Sequence, residues 1–180
     1  MYVQKLDAKD ILQKAMFQLM KKKTIEKITV EEIIASCDVS RATFYRNFRD
    51  KYDLMHYCYQ STVDNFIANI KSDNWEEILV DIFSFLKGYK TFFTNAIKTR
   101  GDNSFLDFLY DYSYRFYEEQ MLARLGMSEL TQEDHDCIAF NCSGAVWLVE
   151  LWIRRNMKEP PEQMARWSYQ FMPPKLQEFF

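Results

Sequence analysis

Glycine and proline are scarce, four of each in 180 residues. A chain with so few breakers is built of long uninterrupted elements, helices above all, and no convincing strand, repeat or low-complexity tract can be read in it. Cysteine is equally sparse: Cys37, Cys58, Cys137 and Cys142 form neither a CxxC pair nor a dense disulfide pattern. No run reaches about 18 apolar residues, so no membrane span is expected. The first residues lack the apolar core and small-residue cleavage site of a signal peptide. These absences together suggest a soluble, reduced, cytoplasmic protein. Catalytic signatures are missing too: there is no nucleophile elbow, no glycine-rich phosphate loop and no HExxH. The two histidines, His56 and His135, fall in different parts of the chain. His135 and Cys137 are two apart on a helix and so point in different directions, which argues against a shared metal ion with Cys142. Neither enzyme activity, metal nor cofactor is expected.

Hydrophobic residues make up 48% of the chain and aromatics 17%, enough for a sizeable core. The net charge of −3 argues against a nucleic-acid partner only until it is divided. Residues 1–60 hold 11 Lys/Arg against 8 Asp/Glu, a balance of 11 − 8 = +3, and residues 61–180 hold 12 against 18, or −6. A basic module on an acidic body is the reading that asymmetry supports.

The helical period runs through most of the sequence. Ile11, Leu12, Ala15, Met16 and Leu19 make an apolar face over residues 8–22, closed by Lys21-Lys22-Lys23. Ile25 and Ile28 plug the link that follows. Thr29 and Glu32 have the spacing of a capping box, opening a helix from Val30 to Cys37 with Ile33 and Ile34 inward. Asp38 suits the turn because it tolerates left-handed angles. Ser40 is an N-cap for the next helix, with Val39 and Phe44 at staple spacing and Phe44 and Phe48 on one buried face. Asp50 caps a longer helix, roughly 51–72, lined by Leu54, Cys58 and Val63. Further helices are expected at 74–87, about 90–98, 104–125, from Thr131 to about Asn156, and from the "EPP" at 159–161 to about Met172, where Pro173-Pro174 stop the chain.

Two short helices joined by a turn of about three residues have helix-turn-helix spacing. The second buries Val39, Phe44 and Phe48 and leaves Arg41, Thr43, Tyr45, Arg46 and Asn47 outward. Arginine meets guanine O6 and N7, and asparagine meets adenine, each in a bidentate way. Hydroxyls of Thr43 and Tyr45 suit phosphate oxygens, as does Lys51 at the start of the next helix. Solvation is the bland explanation for an arginine-rich helix face, but cap, staple, turn length and polar face all agree on the other.

Residues 10–54, from "ILQKAMFQLM" through "ITVEEI" to "VSRATFYRNFRDKYDL", resemble the DNA-binding module of the TetR family. The shared pattern is Thr29-Val30, Val39-Ser40, Thr43-Phe44-Tyr45, Phe48, Lys51 and Leu54; Asp38 replaces the usual turn glycine, and Ile34 and Cys37 replace small alanines. The resemblance implies an all-α protein of about nine helices. Its three-helix helix-turn-helix domain would span 1–54, and 55–180 would form a helical effector-binding and dimerisation domain. By the same resemblance Thr29, Tyr45 and Lys51 hold phosphates. Arg41, Ala42, Thr43 and Asn47 lie nearest base edges behind the Ser40 cap, and Arg46 serves either role. The implied partner is a palindromic double-stranded DNA operator, bound by a homodimer that acts as a repressor.

The rest is open on two points. Phe83, Phe92, Phe108, Tyr112 and Phe116 belong to an aromatic-rich stretch that could line a pocket for a small apolar or aromatic effector, or simply pack a core. Cys142, Ala145, Trp147, Leu148, Leu151 and Trp152, with Met164, Trp167 and Phe171 on the last helix, mix small and large residues as a two-helix dimer face does, or as an intramolecular hairpin does. "FRDKYDL" and the short aromatic C-terminal part also resemble TetR regulators of dihydroxyacetone-kinase operons, which implies an alternative: an activator that responds to a protein partner.

Overall fold

The computed structural model describes residues 7–69 and 74–180. Among these there are ten α helices and no strand: α1 Ala8–Met20, α2 Val30–Cys37, α3 Arg41–Asn47, α4 Lys51–Asn69, α5 Trp75–Gly88, α6 Lys90–Ala96, α7 Phe105–Leu125, α8 Gln132–Arg154, α9 Pro161–Gln170 and α10 Pro174–Gln177. Single 3-10 turns occur at Ile25–Lys27 and Gly101–Asn103. The expected end of the fourth helix, at 70–72, lies outside the described residues. The chain packs as two units. Of the described residues, one gathers 7–68 with Thr91–Asn103; the other gathers Asn69, 74–90 and Ser104–Phe180.

In the N-terminal unit the local signals act as sequence logic requires. Leu12, Met16 and Met20 of α1 are fully buried, as are the plugs Ile25 and Ile28, Ile33 of α2, Phe44 of α3 and Leu54 of α4. Each such side chain contributes about 1.5–3 kcal/mol by leaving water. Ile34, expected inward, is only half-buried. It lies one residue round the helix from the true seam, so it edges the core instead of filling it. Both halves of the capping box form: Thr29 Oγ1 accepts the Glu32 N–H and Glu32 Oε2 accepts the Thr29 N–H, each at 3.1 Å. Asp38 ends α2 at φ 53°, ψ 38°, the left-handed turn that its side chain tolerates. Asp50 Oδ1 accepts the N–H groups of Tyr52 and Asp53, opening α4.

A division after residue 54 leaves α4 and α6 with the C-terminal part, but side chains tie both to α1. Gln13 Nε2 donates to Thr62 Oγ1 at 2.9 Å and Ser61 Oγ at 3.1 Å, and Asn95 Nδ2 donates to the Met20 carbonyl at 2.9 Å. Phe92 packs on Phe17 with centroids 5.0 Å apart, and Phe93 meets Tyr59 edge-on at 6.0 Å. No local pattern announces such contacts, because their partners are 34 to 75 residues away in the sequence.

In the C-terminal unit α5 packs against α9, α7 against α8, and α10 against α8. The inward face of α5 is Trp75, Leu79, Phe83 and Leu86, and that of α7 is Phe105, Leu109, Tyr117 and Met121. The helical period marks Ile78, Ile82, Phe85 and Leu86 on α5 and Phe105, Leu109, Tyr112 and Phe116 on α7; Leu86, Phe105 and Leu109 are buried and the others half-buried. Both helices are apolar on more than one side, which leaves the helical phase ambiguous by one step. The helix α10 is an addition to the sequence reading. Pro173-Pro174 do stop α9, but Pro174 then occupies the first turn of a new helix, where a missing N–H costs nothing.

That last helix is clasped to α8. Lys175 Nζ lies 2.7 Å from Asp134 Oδ1 and 3.3 Å from Glu133 Oε1, while Thr131 caps α8 through the same Asp134. The Lys175 ammonium first, then the Thr131 hydrogen bonds, hold the Asp134 carboxyl down at about 2, from an ordinary 3.8. A carboxyl depressed in the folded state contributes stability above its ordinary pKa and loses it as pH falls toward 2. Thermal melts of Asp134→Asn should therefore fall less steeply than those of the parent between about pH 4 and pH 2; parallel curves would show that the clasp contributes nothing.

Helix α8 has the length and composition to cross a membrane. The count of uninterrupted apolar residues did not reveal this, since polar groups interrupt the run. Its Glu150 is buried and paired with Arg154 at 2.6 Å. Ile138, Cys142, Trp152 and Ile153 face its own unit's core. The arrangement is that of a core helix with one uncovered side.

Candidate nucleic-acid interface

The candidate recognition face is built on α3. Ser40 Oγ accepts the Thr43 N–H at 3.1 Å and lies 2.9 Å from Thr43 Oγ1, so the helix starts at a fixed point. Phe44 and Phe48 anchor the inner side, Phe44 fully buried and Phe48 nearly so, with Phe48 on Tyr57 of α4 at 5.2 Å. Two anchors four residues apart fix the rotation of α3. That rotation turns Arg41, Ala42, Tyr45 and Arg46 fully outward, with Thr43 and Asn47 half-buried.

The outer side chains are held in order. Arg41 Nη1 pairs with Glu31 Oε1 of α2 at 2.8 Å, and its guanidinium sits over the Tyr45 ring at 5.6 Å. Thr43 is a hub: Arg46 Nη2 donates to its hydroxyl at 3.2 Å and Asn47 Nδ2 to its carbonyl at 2.8 Å. Asn47 retains its oxygen and its second amide hydrogen, the pair needed to meet an adenine edge. Tyr45 is 48% exposed, an unusual position for a large aromatic ring, and its hydroxyl can donate to a phosphate oxygen. The Thr29 hydroxyl accepts in the capping box and keeps its own hydrogen to donate.

Two residues differ from the expectation. Lys51 donates to the Glu26 carbonyl at 2.9 Å and the Ile28 carbonyl at 2.8 Å, which makes it a strut under the Ile25–Lys27 turn with only its third hydrogen left for an anion. Charged hydrogen bonds contribute about 1.5–3 kcal/mol. Lys51→Ala should thus lower the melting temperature of the N-terminal unit as well as weaken DNA binding; an unchanged melt would limit it to a surface role. Glu31 is the residue the sequence reading missed. An acidic residue in the first turn of a helix is ordinarily read as serving the dipole. Only the crossing of α2 and α3 brings it to Arg41.

The other candidate residues lie in separate settings. Phe92 is buried in the N-terminal unit. Phe83 is buried edge-on to Trp152 at 5.4 Å, Phe108 and Tyr112 are side by side at 6.2 Å, and Phe116 stacks on Trp75 at 5.7 Å. Of the nine dimer-face candidates, Cys142, Trp152 and Met164 are wholly buried within their own unit. They therefore present nothing to a partner, the intramolecular alternative for these three. Burial pushes the Cys142 thiol up to about 12. Trp147 is 59% exposed and Phe171 65%, with Ala145, Leu148, Leu151 and Trp167 half-buried. Phe140, which the sequence reading passed over, is 71% exposed. It joins Asn141, Gly144, Ala145, Leu148, Ser168 and Phe171 around a groove of about 200 Å³ between α8 and α9.

Two family models match the chain: one described as bacterial regulatory proteins, tetR family, over residues 11–58, and one described as transcriptional regulator C-terminal region, over residues 73–173. The chain belongs to the TetR family of transcriptional regulators. The first match ends within α4, past the recognition face, and the second covers more than half of the chain. TetR-family membership makes the protein a DNA-binding regulator, not an enzyme. Its fold is similar to that of the dihydroxyacetone kinase operon activator DhaS, with a TM-score of 0.67, 18% identity, and 95% of this chain and 97% of the other covered. It is also similar to a TetR transcriptional regulator from Rhodococcus sp. RHA1, with a TM-score of 0.67, 19% identity, and 92% and 97% covered. No curated protein sequence matches significantly.

Proposed function

We propose that this regulator works in the cytoplasm as a homodimer, each subunit inserting α3 into the major groove of one half of a palindromic operator. It represses transcription until a small effector binds the C-terminal unit. The exposed Arg41, Tyr45 and Arg46, with half-buried Thr43 and Asn47 beside them on one helix anchored by Phe44 and Phe48, carry this reading. Tyr45 and Thr29 hold phosphates, Arg41 and Asn47 read base edges with Ala42 and Thr43 close to them, and Glu31 holds Arg41 ready. Apolar side chains exposed beside Gly144 and Ala145 on α8 support a four-helix interface made by α8 and α9 of both subunits. A symmetric pair would bring the two α3 helices about 34–36 Å apart, one turn of duplex.

Binding to a duplex carrying the upstream region of the protein's own gene tests the contacts. Tyr45→Phe should weaken specific and random duplex alike, because phosphates carry no sequence. Arg41→Ala should lose about 1–3 kcal/mol on the operator and far less on random DNA; equal losses on both would remove Arg41 from base reading. The second reading is an activator that responds to a protein partner. The fold likeness to an operon activator favours it. A promoter that falls silent when the gene is deleted would select it over repression.

A further inference from the structure

Two carboxylates stand in the first turn of α2, and they are used differently. Glu32 closes the capping box with Thr29 and also takes the Lys23 ammonium, so it is bound into the frame of the helix start. Glu31, one residue earlier, takes no part in the box. It reaches across to α3, where its Oε1 accepts from Arg41 Nη1 at 2.8 Å. The pair stands in the open: the Arg41 side chain is 63% exposed and that of Glu31 60%. Exposed pairs contribute little to stability, so folding alone gives this one no explanation. Its place does. Arg41 is the first residue of α3 and covers the ring of the exposed Tyr45 at 5.6 Å. The two arginines of α3 are therefore unlike. Arg46 rests on a neutral acceptor, the Thr43 hydroxyl, whereas Arg41 is held by an anion.

A guanidinium carries five N–H donors, and Glu31 takes one of those on Nη1. The remainder suits a guanine edge, whose O6 and N7 accept two N–H groups side by side. That edge is read by hydrogen-bond geometry, which neutralising the arginine leaves in place. Arg41 can make the contact without leaving Glu31, so a guanine adds to what is already there. A phosphate is different, because it is held by charge. If Arg41 keeps Glu31, the phosphate meets a pair with no net charge. If Arg41 lets go, it exchanges one anion for another and leaves a bare carboxylate beside the duplex. Either way random DNA, which is bound through its phosphates, gains little from Arg41.

We propose that Glu31 is a specificity-determining positioning residue: it withholds the Arg41 charge from phosphates and presents the guanidinium to a guanine of the operator half-site. This rests on the reading that α3 enters the major groove. It goes further in assigning part of the discrimination between operator and random DNA to a carboxylate, a group that DNA itself repels. Removing that carboxylate strengthens the wrong complexes more than the right one.

The test compares an operator duplex, selected from a random-sequence pool by the full parent chain, with a random duplex over a series of salt concentrations. The variants are Glu31→Gln, Glu31→Asp, Arg41→Ala and Glu31→Gln combined with Arg41→Ala. Both side chains are exposed, so every variant keeps the fold. In Glu31→Gln, binding to random duplex should tighten, and its log–log salt slope should steepen by roughly 0.9, the mark of one further phosphate contact. Operator binding should tighten less, so that the operator-to-random ratio falls at least about fivefold. Glu31→Asp keeps the charge in the first turn of α2, but its shorter side chain withdraws from Arg41, and it should lose the ratio as Glu31→Gln does. With Arg41→Ala already present, Glu31→Gln should change the ratio no further. Equal tightening on both duplexes, a Glu31→Asp that behaves as the parent, or a full Glu31→Gln effect without Arg41 would reduce Glu31 to plain repulsion of DNA and overturn the proposal. An unchanged ratio would overturn it too. These failures leave the groove reading standing as long as Arg41→Ala weakens operator binding. If Arg41→Ala leaves operator binding as it was, or the pool yields no preferred sequence, the groove reading itself falls and this inference with it.

Discussion

Replacing Trp147 or Phe140 by glutamate is expected to leave the chain folded but monomeric, and to lower its affinity for a two-half-site duplex by roughly 30- to 5,000-fold. Specific DNA complexes are about 4–10 kcal/mol tighter than non-specific ones, and a protein reduced to one half-site keeps about half of that difference. Folding should survive because these side chains contribute little to their own subunit: Trp147 is 59% and Phe140 71% exposed. A glutamate on such a face meets water in the monomer and would meet an apolar partner surface in the proposed dimer, where an unpaired charge is strongly penalised. Gly144 supplies an independent variant. A Cβ built there meets no atom within 4 Å, so the subunit itself has no need of glycine. Gly144→Gln should hold or slightly raise the helix stability of the monomer while blocking close approach of a second helix. Analytical ultracentrifugation with binding to full and half operators distinguishes the outcomes. If all three variants sediment as the parent does, the α8–α9 face is not the interface.

Phe44→Ala should cost about 3–5 kcal/mol of the stability of the N-terminal unit, enough to abolish DNA binding, whereas Tyr45→Ala next to it should cost little stability. The contrast follows from rotation. Phe44 has no exposed surface, meets Tyr45 edge-on at 5.3 Å and Phe48 at 6.1 Å, and sets the angle at which α3 presents its polar side. Its removal leaves a cavity that the stiff α2–turn–α3 hairpin cannot collapse. Tyr45 is half outside, so its loss removes a hydroxyl and a platform for Arg41, not a core. Circular dichroism melts beside duplex titrations separate the two effects. A Phe44→Ala protein that melts like the parent would mean that α3 is positioned by something other than its anchors.

The helix-turn-helix was legible in the sequence because its caps, its turn and the spacing of its anchors are local. Capping box, left-handed Asp38, Ser40 cap and the 44/48 pair all act within four residues, and each forms as its spacing requires. The same holds for the Asp50 and Thr131 caps. The phases of α5 and α7 were not legible, since aromatics on several sides of each helix give periodicity no single answer. Nor was the split of the proposed dimer face into buried Cys142, Trp152 and Met164 and exposed Phe140, Trp147 and Phe171.

What the sequence by itself determined is the all-α class, the helix-turn-helix and the identity of the residues on its outer side, because backbone capping and helical period are short-range physics. Tertiary structure alone decided that Glu31 meets Arg41, that Lys51 braces two carbonyls, and that Phe180 packs among Trp75, Phe116 and Tyr117. These depend on where distant segments cross. Crossing is set by the whole core's packing at once, which no window of neighbouring residues contains.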